Sequence, residues 1–327
     1  MPHPRRIELI SSELAHEPGP EPDWQESLVL LWGDPDRGLG GFHRLGHEVN
    51  QGRGELWCGV LTPGHRFRRD ERVALLPTDR SVPVFGLDTH TFTLDPDGRM
   101  RLRITEPDLD LDLIADDFAP MTSVYPPERL ESVGHGTVRD HLETHGRVRG
   151  RLTLAGHTHE IDAFCVRDHS WGPRDWSLIV SHRWVIGSLG PDLSFSATVM
   201  QGTDGRFLSQ GTLWRDGRGL AATGIDIVVF QESDGLSHRG GRLRMWLADG
   251  SEFSLEIETV DGWFFNAHSH IEVDTVCHAR TPDGRTGYCD LGVSNGRRVT
   301  EPLFGIRAAT HDGVRPRPAE GRRHVNV

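Results

Sequence analysis

One feature limits what this chain can fold into. Tight-turn signals recur along its length, and the runs between them favour strands. Ala155-Gly156, Gly190-Pro191-Asp192, Thr203-Asp204-Gly205, Arg215-Asp216-Gly217, Ala248-Asp249-Gly250 and Pro282-Asp283-Gly284 all carry such signals. Asp-Gly and its kin supply the positive φ angles of two-residue hairpins. Phe92–Leu94 and Met100–Ile104 flank another, Asp95-Pro96-Asp97-Gly98. Between turns the period is two. Leu109, Leu111 and Leu113 alternate with Asp108, Asp110 and Asp112, giving one dry and one wet face. No window sustains a 3.6-residue period with caps, and Pro127–Glu131 offers one helical turn at most. The chain therefore reads as all-β, an antiparallel meander closed into barrels or sandwiches.

Length allows two such bodies in 327 residues. Pro18, Pro20 and Pro22 keep residues 1–26 an irregular lead-in. A first β-barrel is expected over 27–176 and a second over 177–310, with a frayed Pro- and Arg-rich tail at 311–327. No apolar run approaches the ~20 residues of a membrane-spanning helix. No apolar leader is seen, so the expected location is cytoplasmic. The net charge of -12 argues against a nucleic-acid partner. All 36 basic residues are arginine, which excludes lysine Schiff-base chemistry. Cys58, Cys165, Cys277 and Cys289 are too scattered for a zinc pair or a disulfide framework, and read as buried thiols. A homodimer is left open.

The densest chemistry lies in Arg167-Asp168-His169-Ser170-Trp171-Gly172-Pro173-Arg174-Asp175-Trp176. A mobile loop would not normally carry two indoles, and acids and arginines are costly to bury unless paired. Gly172-Pro173 suggests a break in the middle, between the end of one strand and the start of another. On a strand, Asp168 shares a face with Phe164 and Val166, while Cys165, Arg167 and His169 point the other way. An acid among apolar neighbours has its pKa raised, so Asp168 is expected to stay protonated and to serve as a proton donor. Trp171 and Trp176 would stabilise a developing cation, and Arg174 would orient an acid or a polar substrate group. The bland alternative is an Asp–Arg clasp at a domain junction.

Other patterns carry less. His157-x-His159 and His268-x-His270 each place two imidazoles on one strand face, as a metal site requires. With 19 histidines such pairs arise by chance, and Glu160 faces away from its pair. No metal is assigned. Gly292-Val293-Ser294-Asn295-Gly296 has the spelling of a nucleophile elbow, but no helix pattern follows, so Asn295-Gly296 reads as a hairpin turn. Most tryptophans, including Trp57 and Trp184, fit a core, and some must line a cavity if a barrel is open at one end.

The Asp168–Trp176 block resembles the Asp-His-Ser-Trp-Gly-x-Arg signature of the carotenoid 1,2-hydratase/AttH-like superfamily. Gly40-Gly41-Phe42-His43-Arg44-Leu45-Gly46, followed by Trp57, resembles the first domain of its bacterial members. The likeness spans about Trp24–Phe304 and is specific only around the Asp-His-Ser-Trp-Gly block. It implies two lipocalin-like antiparallel β-barrels packed side by side. It also implies acid-initiated hydration, dehydration, cyclisation or isomerisation of a lipophilic, terpenoid-, steroid- or aromatic-like small molecule, with no cofactor. The expected catalytic residues are Asp168, His169, Arg174 and His182, with His169 or His182 placing water or shuttling a proton. Trp171, Trp176, Trp57 and Trp184 would bind substrate. Two rival functions stand beside this one: a non-catalytic lipocalin-like carrier, and a metal-dependent enzyme using the His-x-His pairs.

Overall fold

The computed structural model describes residues 15–74, 84–86, 89–94, 99–124, 138–233, 235–267 and 270–296. Among these there is no α-helix. The first body contains β1 (Trp24–Asp34), β2 (Leu39–Glu48), β3 (Arg53–Thr62), β4 (His65–Ala74), β5 (Val84–Gly86) and β6 (His90–Leu94). It continues with β7 (Met100–Glu106), β8 (Leu109–Asp117), β9 (Thr122–Ser123), β10 (Asp140–Leu154) and β11 (His157–Pro173). These pair in the order β4-β3-β2-β1-β11-β10-β8-β7-β6-β5, with β9 also on β10. The second body contains β12 (Ile179–Gly190), β13 (Leu193–Gly202), β14 (Phe207–Arg215) and β15 (Arg218–Gln231). It ends with β16 (His238–Leu247), β17 (Glu252–Ala267), β18 (His270–Arg280) and β19 (Thr286–Gly296), and these eight close into a barrel. The result is a two-domain lipocalin-like β fold. One barrel is closed, and the other is a curled half-barrel whose hydrogen-bonded path has two ends, β4 and β5.

The turns follow the expected chemistry. Ala155-Gly156 joins β10 to β11 with φ of 50° and 80°, and Asp216-Gly217 joins β14 to β15 with 51° and 75°. Two successive positive φ angles define the type I′ hairpin, whose twist matches its strands. The Asp95–Gly98 turn lies outside the described residues, but β6 and β7 pair around it, Leu94 opposite Met100. On β8 the leucines are buried and Asp110 is exposed. Two expectations change. β11 runs through Gly172 to Pro173, so the break comes after the Gly-Pro pair, at the short 3-10 turn Trp176–Leu178. Asn295-Gly296 is the end of β19, not a turn, and Ser294 pairs with His182 and Glu272 within the barrel wall. Pro127–Glu131 and the tail lie outside the described residues.

Three large apolar clusters account for most of the burial. Leu28, Leu30 and Trp32 of β1 point into the half-barrel. Phe195, Leu243 and Leu291 belong to the interior of the closed barrel. The odd-numbered residues Val29 and Leu31 point the other way, into a third cluster with Phe42, Trp57, Trp184 and Trp263 that joins the two bodies. β1 is therefore dry on both faces, which is why Leu28–Trp32 reads as an unbroken apolar run. Glycines let the bodies close on each other. A Cβ on Gly59 would lie 2.5 Å from the Trp263 ring, and one on Gly33 would lie 2.3 Å from that of Tyr288.

Candidate functional site

The strand parity that sends Val29 toward the barrel does the same for a row of polar residues. Asp168 on β11 is opposite Val29 on β1 and Glu143 on β10. One step along, Ser170 is opposite Ser27 and His141. Arg44 on β2 lies between Val29 and Trp57. Facing them, the outer wall of the closed barrel presents His182 and Trp184 from β12, Thr198 and Met200 from β13, and Glu272 and Asp274 from β18. Between the two walls is a cavity of about 110 Å³, which Trp176 and Ile179 also line near the crossing from β11 to β12. Gln210 lines both this cavity and a wider outer groove of about 610 Å³ beside β14 and β15.

A polar chain crosses the half-barrel wall. His141 Nε2 bonds Asp168 Oδ2. The Ser170 hydroxyl donates to Asp168 Oδ1 at 3.3 Å, and Arg174 Nη2 donates to Ser170 Oγ at 2.7 Å. Ser27 Oγ is 3.2 Å from the same hydroxyl. Burial drives the Asp168 carboxyl upward, but the His141 charge and hydrogen bond, helped by Arg174, hold it below the usual carboxylate range. His141 is affected in the reverse sense. Desolvation lowers it, Asp168 and Glu143 raise it, and the net direction is up. The expectation of a neutral Asp168 is therefore corrected: the proton sits on His141 and the carboxylate is ionised. The partner is a cross-strand histidine 27 residues away in sequence.

Carboxyls with raised pKa values are found elsewhere. Glu143 lies 3.4 Å from His141 Nε2, and burial pushes it up to about 7. On the opposite wall Glu272 is pushed up to about 7, again by burial. Asp274 and Asp290 are driven well above the usual range by burial and by repulsion within this acid trio. The Thr275 backbone N–H donates to Asp290 Oδ1 at 2.6 Å. Burial and the neighbouring Arg183 lower His182 to about 3, so it is neutral at ordinary pH.

Arg44 is buried and fully engaged. It donates to Glu55 Oε2 at 2.9 Å and Gln25 Oε1 at 2.6 Å, and its guanidinium lies 4.3 Å from the Trp57 ring centre.

Of the residues expected at the site, Asp168, Arg174, His182, Trp57, Trp176 and Trp184 all line the cavity. His169 and Trp171 do not. Their parity places them on the far side of β11, where His169 Nε2 is 2.9 Å from Glu26 Oε1 and Trp171 stacks on His16 with ring centres 3.7 Å apart. Arg174 reaches Asp168 through Ser170 rather than by a direct clasp. Asp175 instead caps the 3-10 turn by accepting from Ser177 N at 3.0 Å. Sequence reasoning passed over His141, Glu143, Glu272, Asp274 and Arg44. A signal existed: His141-Leu-Glu143 and Glu272-Val-Asp274 are alternations whose polar members share one face of a strand.

Among the described residues two sets of three side chains could hold a cation: His141, Glu143 and Asp168, and His16, Glu26 and His169. Neither contains a His-x-His pair. His157 is exposed and lies against the ring of His65. His270 is 2.7 Å from the Ile179 carbonyl, and His268 lies outside the described residues.

Residues 10–297 match one family model, described as a domain of unknown function, DUF7064. The chain belongs to the DUF7064 family. No curated protein sequence matches it. Solved structures show where this DUF7064 member stands in fold space. The protein described as AttH (NE1406) from Nitrosomonas europaea is similar at TM-score 0.66 and 14% identity, over 90% of this chain and 97% of its own. CghA, solved with Sch210972, gives 0.61 and 13%, over 84% and 89%. Kievitone hydratase from Nectria haematococca gives 0.59 and 9%, over 83% and 88%. At these identities the likeness establishes the fold of this DUF7064 protein. No helix among its described residues is long and apolar enough to cross a membrane.

Proposed function

We propose that the cavity between half-barrel and barrel carries out hydratase-type acid–base chemistry on a lipophilic small molecule, using side chains alone. The observation behind this is the His141–Asp168 pair on a cavity walled by Trp57, Trp176 and Trp184. A carrier of apolar ligands has no use for an ion pair, which is costly to bury. An enzyme that moves protons does. Titratable groups pushed in opposite directions within one cavity are the usual mark of an acid and a base.

In the dehydrating direction, the His141 imidazolium gives its proton to a substrate hydroxyl, and the C–O bond breaks to release water. The electron-deficient carbon left behind faces indole rings and the Asp168 carboxylate. A proton on the adjacent carbon then passes to the neutral imidazole, and its C–H electron pair becomes the double bond. Hydration is the reverse. If the cation is captured by a second double bond of the same molecule, the outcome is cyclisation. Ser170 and Arg174 hold the carboxylate in place and do not themselves react. Support also comes from the fold: one structural neighbour is named as a hydratase and another was solved with a small molecule. The Asp-His-Ser-Trp-Gly likeness to the AttH-like superfamily points the same way.

The test is a panel of terpenoid, steroid and aromatic allylic alcohols and their alkenes, incubated in ¹⁸O-labelled water and read by mass spectrometry. Label exchange by the native chain is expected, with about 100-fold or greater loss in both Asp168→Asn and His141→Gln, as for a removed acid–base group. Variants that stay within threefold of the native rate would overturn the assignment. Ligands that bind but return unlabelled would favour a carrier.

A further inference from the structure

We infer that His16, Glu26 and His169 form a site for one divalent transition-metal ion, on the face of β11 turned away from the cavity. These side chains come from three separate stretches: the segment before β1, β1 itself and β11. Their ligand atoms nevertheless all lie within 4.8 Å of one another. His16 Nδ1 is 2.7 Å and His169 Nε2 2.9 Å from Glu26 Oε1. Metal–ligand bonds of about 2.1 Å, at angles between square and tetrahedral, set neighbouring ligand atoms about 3.0–3.4 Å apart. Each imidazole nitrogen therefore needs to draw back from Glu26 Oε1 by only about 0.1–0.7 Å to match that spacing.

The surroundings hold this geometry. The His16 backbone N–H donates to both Glu26 oxygens at 3.0 Å, which fixes the carboxylate plane. Trp171 stacks on the His16 ring at 14° and lies 5.3 Å from the His169 ring. Glu26 and His169 are almost free of solvent, while the His16 side chain keeps 24% exposure and gives an ion a way in. His47, buried on β2 directly opposite Glu26, shares its strand face and is placed to approach a fourth position.

Two imidazoles with one carboxylate suit zinc or ferrous iron, whereas calcium and magnesium prefer all-oxygen sets. One carboxylate and two neutral imidazoles carry a single negative charge, which leaves a bound dication attracted but not neutralised. The cavity trio His141, Glu143 and Asp168 has two carboxylates and one imidazole, and its members already serve the acid–base chain. An ion behind β11 would fasten the lead-in segment to the strand that presents Asp168 and Ser170. The site is independent of the proposed function and can fail without it.

The experiment uses the full chain without an affinity tag. The protein is stripped with a chelator, dialysed against Zn²⁺ or, anaerobically, Fe²⁺, and measured by elemental analysis. Co²⁺ serves as the optical probe. One equivalent per chain is expected, with a chelator-reversible rise in melting temperature and a Co²⁺ absorption band. Retained metal should fall at least tenfold in both Glu26→Gln and His169→Gln and stay at one equivalent in Asp168→Asn. His16→Ala, in the lead-in segment, is the milder variant if the others fail to fold, and it should weaken binding measurably. No retention by folded native protein at micromolar metal would overturn the inference. So would equal retention by Glu26→Gln, or loss confined to Asp168→Asn. In those cases the three residues are a hydrogen-bonded strap and nothing more.

Discussion

Glu272→Gln should make this protein more stable, by an amount that grows between pH 4.5 and 7 and then levels off. Glu272 is 7% exposed on β18, faces the cavity, and is pushed by burial from 4.5 to about 7 despite the Ser294 hydroxyl, Arg44 and Arg183. The folded state thus keeps a proton that the unfolded chain releases between pH 4.5 and 7. The stabilisation from that proton is complete below pH 4.5 and is lost as pH rises through 7. Each unit of displacement is worth about 1.4 kcal/mol, so some 2.5 units cost the native chain about 3 kcal/mol by pH 8. Glutamine has nearly the same shape, can still bond the Ser294 hydroxyl and has no proton to lose. The variant and native chains should therefore be of similar stability at pH 4, with the variant ahead by about 3 kcal/mol at pH 8.5. Urea unfolding followed by tryptophan fluorescence at both pH values measures this. Parallel stability–pH curves for the two proteins would refute the reasoning, since they would mean that Glu272 titrates normally. Activity gives a second reading. If the stabilised variant loses label exchange, the carboxyl is kept for function at a cost in stability.

Two further substitutions probe other parts of the structure. Trp32 Nε1 donates to His43 Nε2 at 3.0 Å, which requires a neutral ring whose Nδ1–H points to Cys58 Sγ at 3.4 Å. Burial and His90 hold that ring down at about 3, so stability is lost as pH falls below 6.5. By pH 4.5 the loss is about 3 kcal/mol, and His43→Gln should flatten that limb of the urea stability–pH curve. An unchanged acid limb would remove His43 as its cause. Gly59→Val places methyl groups inside the Trp263 ring contact and should cost about 1–3 kcal/mol while prising half-barrel from barrel. Near-ultraviolet circular dichroism should register the disturbed indoles, and a loss below about 0.5 kcal/mol would show that the seam yields freely.

What the sequence revealed and what it hid follow from the range of each interaction. Turn chemistry is local, so Ala155-Gly156 and Asp216-Gly217 marked their hairpins without reference to anything distant. Parity along a strand is local too, and it placed Asp168 on the face of Phe164 and Val166, which is the face that meets the barrel. Register is not local. Nothing near Asp168 announces that β10 brings His141 and Glu143 beside it, and so the charge on its carboxyl could not be read. The same limit hid Glu272 and Asp274, which approach from the other body.

The crowding of Arg167–Trp176 misled in an instructive way. Asp168, His169, Trp171, Arg174 and Trp176 were all expected at one site, yet neighbours on an extended strand diverge. β11 is central in its sheet, and from Cys165 to Ser170 it is buried on both sides, so there it must suit two interiors at once. Asp168 and Ser170 meet the cavity and the barrel. Arg167 pairs with Asp117 on the inner side, and His169 with Glu26. Trp171, on that same side, stacks on His16. A strand with one wet face could fill half its positions with anything soluble. This one has no such freedom, and the acids, imidazole, guanidinium and indoles are crowded because each side needs its own partners.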